Sequence, residues 1–347
     1  MNAQILAPLA QAAMTPLWAA QLLTSAKSFE RNRLIGSYGL NRRGLHVARL
    51  SLAHRLAEWR RRRLKGLVSE ADRRDFAADG FVMRRDFLPA AEFAALVAEI
   101  RDYRGRLREV AEGDTLLRKI ALDTTTLQAL PALRRLLRCP EWRGLIRYVG
   151  SRDAAPVVWI QTILRHACDG APDPQAALHA DTFHPTVKAW LFLTDVAADA
   201  GAFTYVPGSH RLTPQRLEWE RRMSLIAAHA PNPETRQGSF RIAAAELASL
   251  GLPEPVVLAV PANTLVVADT FGFHARGPSA GRSLRAEIWA YGRRSPFLPW
   301  TGLDPWSGPA LARRSLLGWQ FDDFLDRAGI RPQRWRARSG VSALDPA

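Results

Sequence analysis

Leu178-His-Ala-Asp-Thr-Phe-His-Pro-Thr-Val-Lys-Ala-Trp-Leu-Phe-Leu-Thr-Asp195 is the stretch from which the rest of this 347-residue chain can be placed. Its second half, Ala189–Asp195, is a short apolar run of the kind that forms a buried strand. Its first half carries chemistry. In extended backbone the side chains alternate between two faces, so His179 and Asp181 project to the same side of one segment. A third ligand must come from a strand that folds back beside them. His274 closes the next comparable run, Leu265-Val-Val-Ala-Asp-Thr-Phe-Gly-Phe-His274. Two imidazoles and one carboxylate occupy one face of an octahedral metal ion and leave three positions open. H-x-D alone is weak, since any histidine two residues from an aspartate matches it. Its neighbours give it weight.

Working outward, short apolar or alternating runs bounded by Pro, Gly and Asn recur at Val157–Leu164, Ala189–Asp195, Ala202–Val206, Val256–Val260, Leu265–Asp269 and Arg285–Tyr291. Before them the period is helical. Ser69-Glu-Ala-Asp72 has the form of a capping box, Phe81–Met83 reads as a short strand, and Pro89–Tyr103, Pro131–Leu137 and Trp142–Val149 read as helices. Strands after a helical lead-in predict an α+β protein with a mostly β core, a double-stranded β-helix or jelly roll with flanking helices. The expected divisions are a basic helical extension over 1–68, the jelly-roll domain over 69–303 and a helical tail over 304–347. The tail either covers the sheet or makes a contact between copies, and the oligomeric state is left open.

The quoted stretch resembles the phytanoyl-CoA dioxygenase family. So do Gly201-Ala-Phe-Thr-Tyr-Val-Pro-Gly-Ser-His210, Leu265–His274 with Arg285 eleven residues beyond, and Asp79-Gly-Phe-Val-Met-Arg-Arg-Asp-Phe-Leu-Pro89. The resemblance spans roughly residues 70 to 295. It implies an Fe(II)-dependent dioxygenase that uses 2-oxoglutarate and O2, with His179, Asp181 and His274 as metal ligands. It also implies Arg285 as the grip on the co-substrate's distal carboxylate, because a planar guanidinium offers two parallel hydrogen bonds. Arg282 is its rival, but falls in the Ser279–Ser283 turn. Gln161 and Trp190 match positions that contact the co-substrate in the family, and core filling explains them almost as well. With Asp181 present, and not the small residue that admits halide in related halogenases, hydroxylation is the implied outcome.

Other residues near the motif are assigned less sharply. Pro207-Gly-Ser-His210 suits a tight turn, so His210 is read as structural. His184 falls on the opposite parity from His179 and Asp181 and is not read as a metal ligand, and His166 is only close in sequence. Lys188 reaches either the pocket or solvent. Arg276 adds charge for an acidic substrate or lies on the surface.

Composition sets the outer bounds. A hydrophobic fraction of 47% indicates a globular chain, and two cysteines are too few for a disulfide framework, so a reducing, cytoplasmic setting is the default. The formal net charge is +15, and residues 1–65 hold twelve Lys/Arg against Glu30 and Glu58. Codon bias explains 44 arginines beside four lysines, but not the scarcity of acids in this segment. Attraction to an anionic surface is the expected consequence.

Residues 1–26 are uncharged yet too broken by Pro8, Pro16 and glutamines to span a bilayer. They suggest short apolar helices carrying Leu6, Leu9, Leu17, Trp18, Leu22 and Leu23. From Leu45 to Lys65, the positions Leu45, Ala48, Leu52, Leu56 and Trp59 make one helical stripe, with Arg49, Arg60 and Arg63 off it. That stripe either anchors at a membrane interface or packs on the domain. Nucleic acid is not expected, as no recognition motif accompanies the charge.

The expected function is therefore hydroxylation of an anionic, membrane-presented substrate by a peripheral enzyme. Such a substrate is a lipid, an acyl chain, or a lipopolysaccharide sugar acid such as Kdo. The alternatives are a soluble small metabolite and, from another class, a non-catalytic lipid- or sugar-binding protein.

Overall fold

The computed structural model describes residues 14–171, 173–292, 294–302 and 310–346, with backbone alone at 310–315. Among the described residues the strands are β1 (Phe81–Arg84), β2 (Leu107–Glu112), β3 (Thr115–Ala121), β4 (Val157–Arg165), β5 (Val187–Phe192), β6 (Phe203–Tyr205), β7 (Val256–Leu258), β8 (Leu265–Asp269), β9 (His274–Arg276), β10 (Ser283–Gly292) and β11 (Arg336–Arg338). A large antiparallel sheet runs β1-β8-β5-β10-β4-β3-β2-β11, and a small one runs β7-β6-β9. The two layers and the helices against the large sheet are the predicted jelly roll.

Strict alternation along β10 shows why the sequence folds this way. Ala286, Ile288 and Ala290 point outward, join Val267, Leu191 and Ile160, and are covered by Leu96, Leu133, Trp142 and Ile146 from the helices Ala90–Asp102, Pro131–Leu136 and Pro140–Val149. Arg285, Glu287, Trp289 and Tyr291 therefore point inward, into the space between the layers. The small sheet closes that space at one side, with Phe203 4.3 Å from the Trp190 ring. The C-terminal tail closes it at another, with Trp319 of the helix Ala310–Arg327 set 4.9 Å from Trp159.

Several sequence expectations shift. The predicted capping box is formed at Ser69 and Asp72. The strand expected over Ala189–Asp195 starts and ends earlier, at Val187–Phe192. The β2–β3 hairpin was not anticipated, because charges interrupt its apolar residues. Two of those charges satisfy each other, with Arg118 2.8 Å from Glu109, and Gly113 turns the hairpin with φ 61°.

The helix Leu45–Leu64 packs on the rest of the chain, and of the two alternatives for its apolar stripe the packing one does not hold for Leu52 and Trp59. In the helix Leu45–Leu64 the buried positions are His46, Arg49, Leu50, Ala53, His54, Ala57, Arg60, Arg61 and Leu64. Leu45 and Leu56 are half-buried, and Leu52 and Trp59 face outward at 40% and 36% exposure. Arginine is the reason. The Arg49 guanidinium donates to the carbonyls of Leu22, Thr24 and Ala26 at 2.8 to 3.1 Å. Arg60 donates to Ser151 and Leu298 carbonyls at 2.9 and 2.7 Å. Arg61 donates to the Val149 carbonyl and to Asp269 Oδ2, at 2.8 and 2.7 Å. A guanidinium fork can be buried when its donors are all used in this way, and it then displaces leucine from the seam. Leu6 and Leu9 lie outside the described residues. Residues 14–21 are helical, Leu22 is packed, and Leu17 and Leu23 are exposed.

Candidate metal centre

Backbone hydrogen bonds place the ligands. The segment 178–181 lies between residues 240–242 and 270–274. Ala180 N donates to Phe240 O and Asp181 N to Thr270 O, at 3.0 and 2.9 Å. His179 and His274 exchange a reciprocal pair, each N donating to the other's O at 2.9 and 3.0 Å. Opposed residues of a bridge point their side chains to the same face, so two imidazoles meet there. Their ring centroids are 4.4 Å apart.

The side chains finish the arrangement. His179 Nδ1 lies 2.8 Å from the Ala177 carbonyl and His274 Nδ1 2.9 Å from the Gly272 carbonyl. A carbonyl only accepts, so each Nδ1 carries the proton and each Nε2 presents its lone pair. Both Nε2 atoms stand 3.7 Å from Asp181 Oδ1. One ligand atom from each of the three lies within 4.8 Å of the others. His274 Nε2 is buried without a hydrogen-bond partner. Burial holds both imidazoles neutral, His274 down to about 4 and His179 well below its ordinary value. Burial opposes the Asp181 charge, yet Lys188 and the two imidazoles hold its carboxyl well below the usual range. Two neutral nitrogens and one carboxylate oxygen, with an orphaned buried donor atom, fit a divalent iron ion.

Lys188 answers the question the sequence left open. Its Nζ is 2.7 Å from Asp181 Oδ2. With Oδ2 held there and Oδ1 aimed at the imidazoles, the carboxylate is set for one-oxygen ligation, which keeps the remaining positions free. Lys188→Met should therefore weaken metal binding about 10–100-fold, the usual cost of losing an outer partner of a ligand. Titration with Co(II) checks this. Unchanged affinity would leave Lys188 no part in orienting Asp181.

Deeper in the barrel lies a row of cross-strand neighbours, Lys119, Gln161, Glu287 and Phe192. Gln161 Nε2 donates to Glu287 Oε1 at 2.7 Å. Arg285 is buried, donates through Nη1 to Gly201 O at 2.5 Å, and forms an ion pair with Glu287 at 3.0 Å. Arg282 is exposed, whereas Arg285 lies on the inner face. Trp190 packs on Phe203 along the same inner face. Lys119 was missed by the sequence reading. It is half-buried beneath Trp289, Trp335 and Trp159 at 4.5, 5.2 and 5.6 Å, and burial lowers it to about 8. Lys27, from the extension, donates to the Asp181 carbonyl at 2.5 Å. Three of the four lysines thus end in or against the site. The scarcity of lysine was visible in the sequence and was the signal that could have found them.

The remaining residues stay outside. His184 is buried with Nδ1 3.1 Å from the Pro185 carbonyl, and His166 pairs with Asp114 at 3.0 Å. His210 packs on Phe76 in a turn where Gly208 takes φ 76°. Arg276 is half-buried and ion-paired with Asp173.

Residues 76–241 match the family model of phytanoyl-CoA dioxygenase (PhyH), a stretch that holds His179 and Asp181 but ends before His274 and Arg285. No curated protein sequence matches the chain. Among solved structures, the epimerase SnoN in complex with Fe3+, alpha ketoglutarate and nogalamycin RO is similar at 20% identity and TM-score 0.43, covering 65% of this chain and 83% of that one. The carbocyclase SnoK from nogalamycin biosynthesis is similar at 21% and 0.41, covering 65% and 83%. HygX from Streptomyces hygroscopicus, with nickel and 2-oxoglutarate bound, is similar at 18% and 0.42, covering 65% and 87%.

Proposed function

We propose, from the premise that this chain carries a phytanoyl-CoA dioxygenase domain and is a 2-oxoglutarate-dependent non-haem iron enzyme, that it hydroxylates an unactivated C–H bond of an anionic substrate presented at a membrane surface. The observation that carries the reading is the convergence of His179, Asp181 and His274 on one point, with Lys188 fixing the unused carboxylate oxygen. Bound Fe(II), with 2-oxoglutarate and O2, supplies the oxidising chemistry.

The protein's own part is binding and orientation. His179 and His274 would hold the metal through Nε2, and Asp181 would hold it through Oδ1. Arg285, kept in the barrel by Gly201 and Glu287, receives the distal carboxylate of 2-oxoglutarate, with Gln161 and Trp190 on the same inner wall. Asp181 and Lys188 are the partly exposed members of the site, at 16% and 21% of their side chains, so the open side lies there. Lys188, paired with Asp181, lines that side, and Lys119 adds a cation deeper in the barrel, which supports an anionic substrate. Trp289 and Tyr291, 4.9 Å apart on the same wall, give it an apolar lining that limits water.

The direct test is Fe(II)-dependent formation of succinate from 2-oxoglutarate, followed by mass spectrometry of envelope lipids and soluble metabolites. A one-oxygen gain in a lipid supports the membrane-presented substrate, and a gain confined to a soluble metabolite replaces it. Within the same assay Arg285→Lys should raise KM for 2-oxoglutarate roughly 10–100-fold, the value of charge-assisted hydrogen bonds that a point charge cannot reproduce. An unchanged KM would move the carboxylate anchor to Lys119 or elsewhere.

A further inference from the structure

The helix Leu45–Leu64 spends its arginines in two ways. Arg49, Arg60 and Arg61 are buried and occupied by carbonyls and Asp269, so they are structural. Arg55, Arg62 and Arg63 are exposed, as is Lys65 immediately after the helix. Between them the helix presents Leu52 and Trp59, and Leu67 follows at 40% exposure. The Arg63 guanidinium lies over the Trp59 ring at 3.8 Å. Glu58 is the one acidic residue of this helix, and Arg61 already engages it at 2.6 Å.

We propose that this outward face docks on an anionic lipid surface. Leucine and tryptophan flanked by arginine match the boundary between acyl chains and anionic headgroups, where an indole sits well and a long basic side chain reaches phosphate. Burial of the other three arginines removes them from the count, so attraction rests on the exposed ones. No helix among the described residues is long and apolar enough to cross a membrane, so the contact is lateral.

The opposite side of the same helix touches the metal loop. Leu50 and Ala53 pack with Phe183 and Phe271, and Arg49 lies over the Phe183 ring at 4.4 Å. Phe183 is two residues from Asp181. A helix is about 10–12 Å across, so docking holds the metal loop roughly one helix diameter from the lipid surface. The proposal deepens the substrate reading above and rests on it for the origin of the substrate, while lipid binding itself is measured without turnover.

The experiment is sedimentation of the full chain with phosphatidylcholine vesicles, with and without phosphatidylglycerol. Binding should require phosphatidylglycerol and should weaken at about 1 M salt, where exposed charges are screened within about 3 Å. Arg55→Glu/Arg62→Glu should lower partitioning about a hundredfold or more. Arg101→Glu/Arg134→Glu, with the same change in net charge on exposed positions of other helices, should lower it only a few-fold. Thermal melting of each variant establishes that it is folded, and succinate formation by the same samples separates the two readings. Lost vesicle binding with intact turnover in Arg55→Glu/Arg62→Glu supports the proposal. No binding by the native chain, or equal loss in both pairs, overturns it and leaves the catalytic reading untouched.

Discussion

Asp181→Ala reduces succinate formation to the level of free iron in buffer and lowers metal affinity by more than the roughly 10–100-fold that loss of an outer partner costs. The two effects have one origin. Asp181 Oδ1 stands 3.7 Å from both imidazole Nε2 atoms, so its removal takes away one of three ligand atoms and the sole anionic one. It also strands Lys188, whose ammonium is 2.7 Å from Oδ2 and would then repel an incoming cation. Calorimetric titration with Co(II) reads the affinity and succinate assay reads the turnover. Circular dichroism should be unchanged, since the backbone bonds of residue 181 do not involve its side chain. Unchanged turnover would falsify the triad as assigned.

Arg61→Leu should cost about 3–5 kcal/mol of stability, because it leaves a buried carboxylate without its cation. Asp269 is 1% exposed, and burial already raises its carboxyl pKa against the pull of Arg61. Its Oδ1 accepts from Thr186 N and Phe271 N at 3.1 and 3.0 Å, which ties the loop before His274 to the strand that carries Lys188. Urea denaturation measures the loss. Arg61→Leu/Asp269→Asn should recover much of it, since a neutral amide still accepts from both N–H groups and no unpaired charge remains. Equal stability of the native chain and Arg61→Leu would mean that water replaces the guanidinium. The extension would then be a passenger on the domain.

The catalytic half of the molecule was legible for a physical reason. Strands of a two-layer sandwich alternate, so Ala286, Ile288 and Ala290 had to face helices while Arg285 and Glu287 faced the interior. The spacing of His179 and Asp181 likewise survives any small error in strand ends. Charge is where the reading failed. The β2–β3 hairpin hides its pattern because Glu109 and Arg118 are buried together, and a sequence shows neither partner of such a pair as apolar. The orientation of the helix Leu45–Leu64 stayed open for the same cause. Its Leu52 and Trp59 suit a seam or a membrane interface alike, and carbonyls at the ends of neighbouring elements take Arg49, Arg60 and Arg61 into the seam. Lys119 escaped because nothing local marks a lysine whose cage of Trp159, Trp289 and Trp335 is assembled from three separate segments.

The uneven use of basic residues makes the site unusually addressable by chemistry. Lys65 is exposed, while Lys27, Lys119 and Lys188 are at least half-buried in or beside the metal centre. Among the described lysines an amine-selective reagent therefore modifies Lys65 first, with little competition from neighbouring arginines. Any further label reports the interior. Burial lowers Lys119 to about 8, which favours its reaction over that of an ordinary lysine once a reagent reaches it. The extent of labelling becomes a gauge of how open the barrel is, and a ligand that fills the barrel shields that amine before any product has been identified.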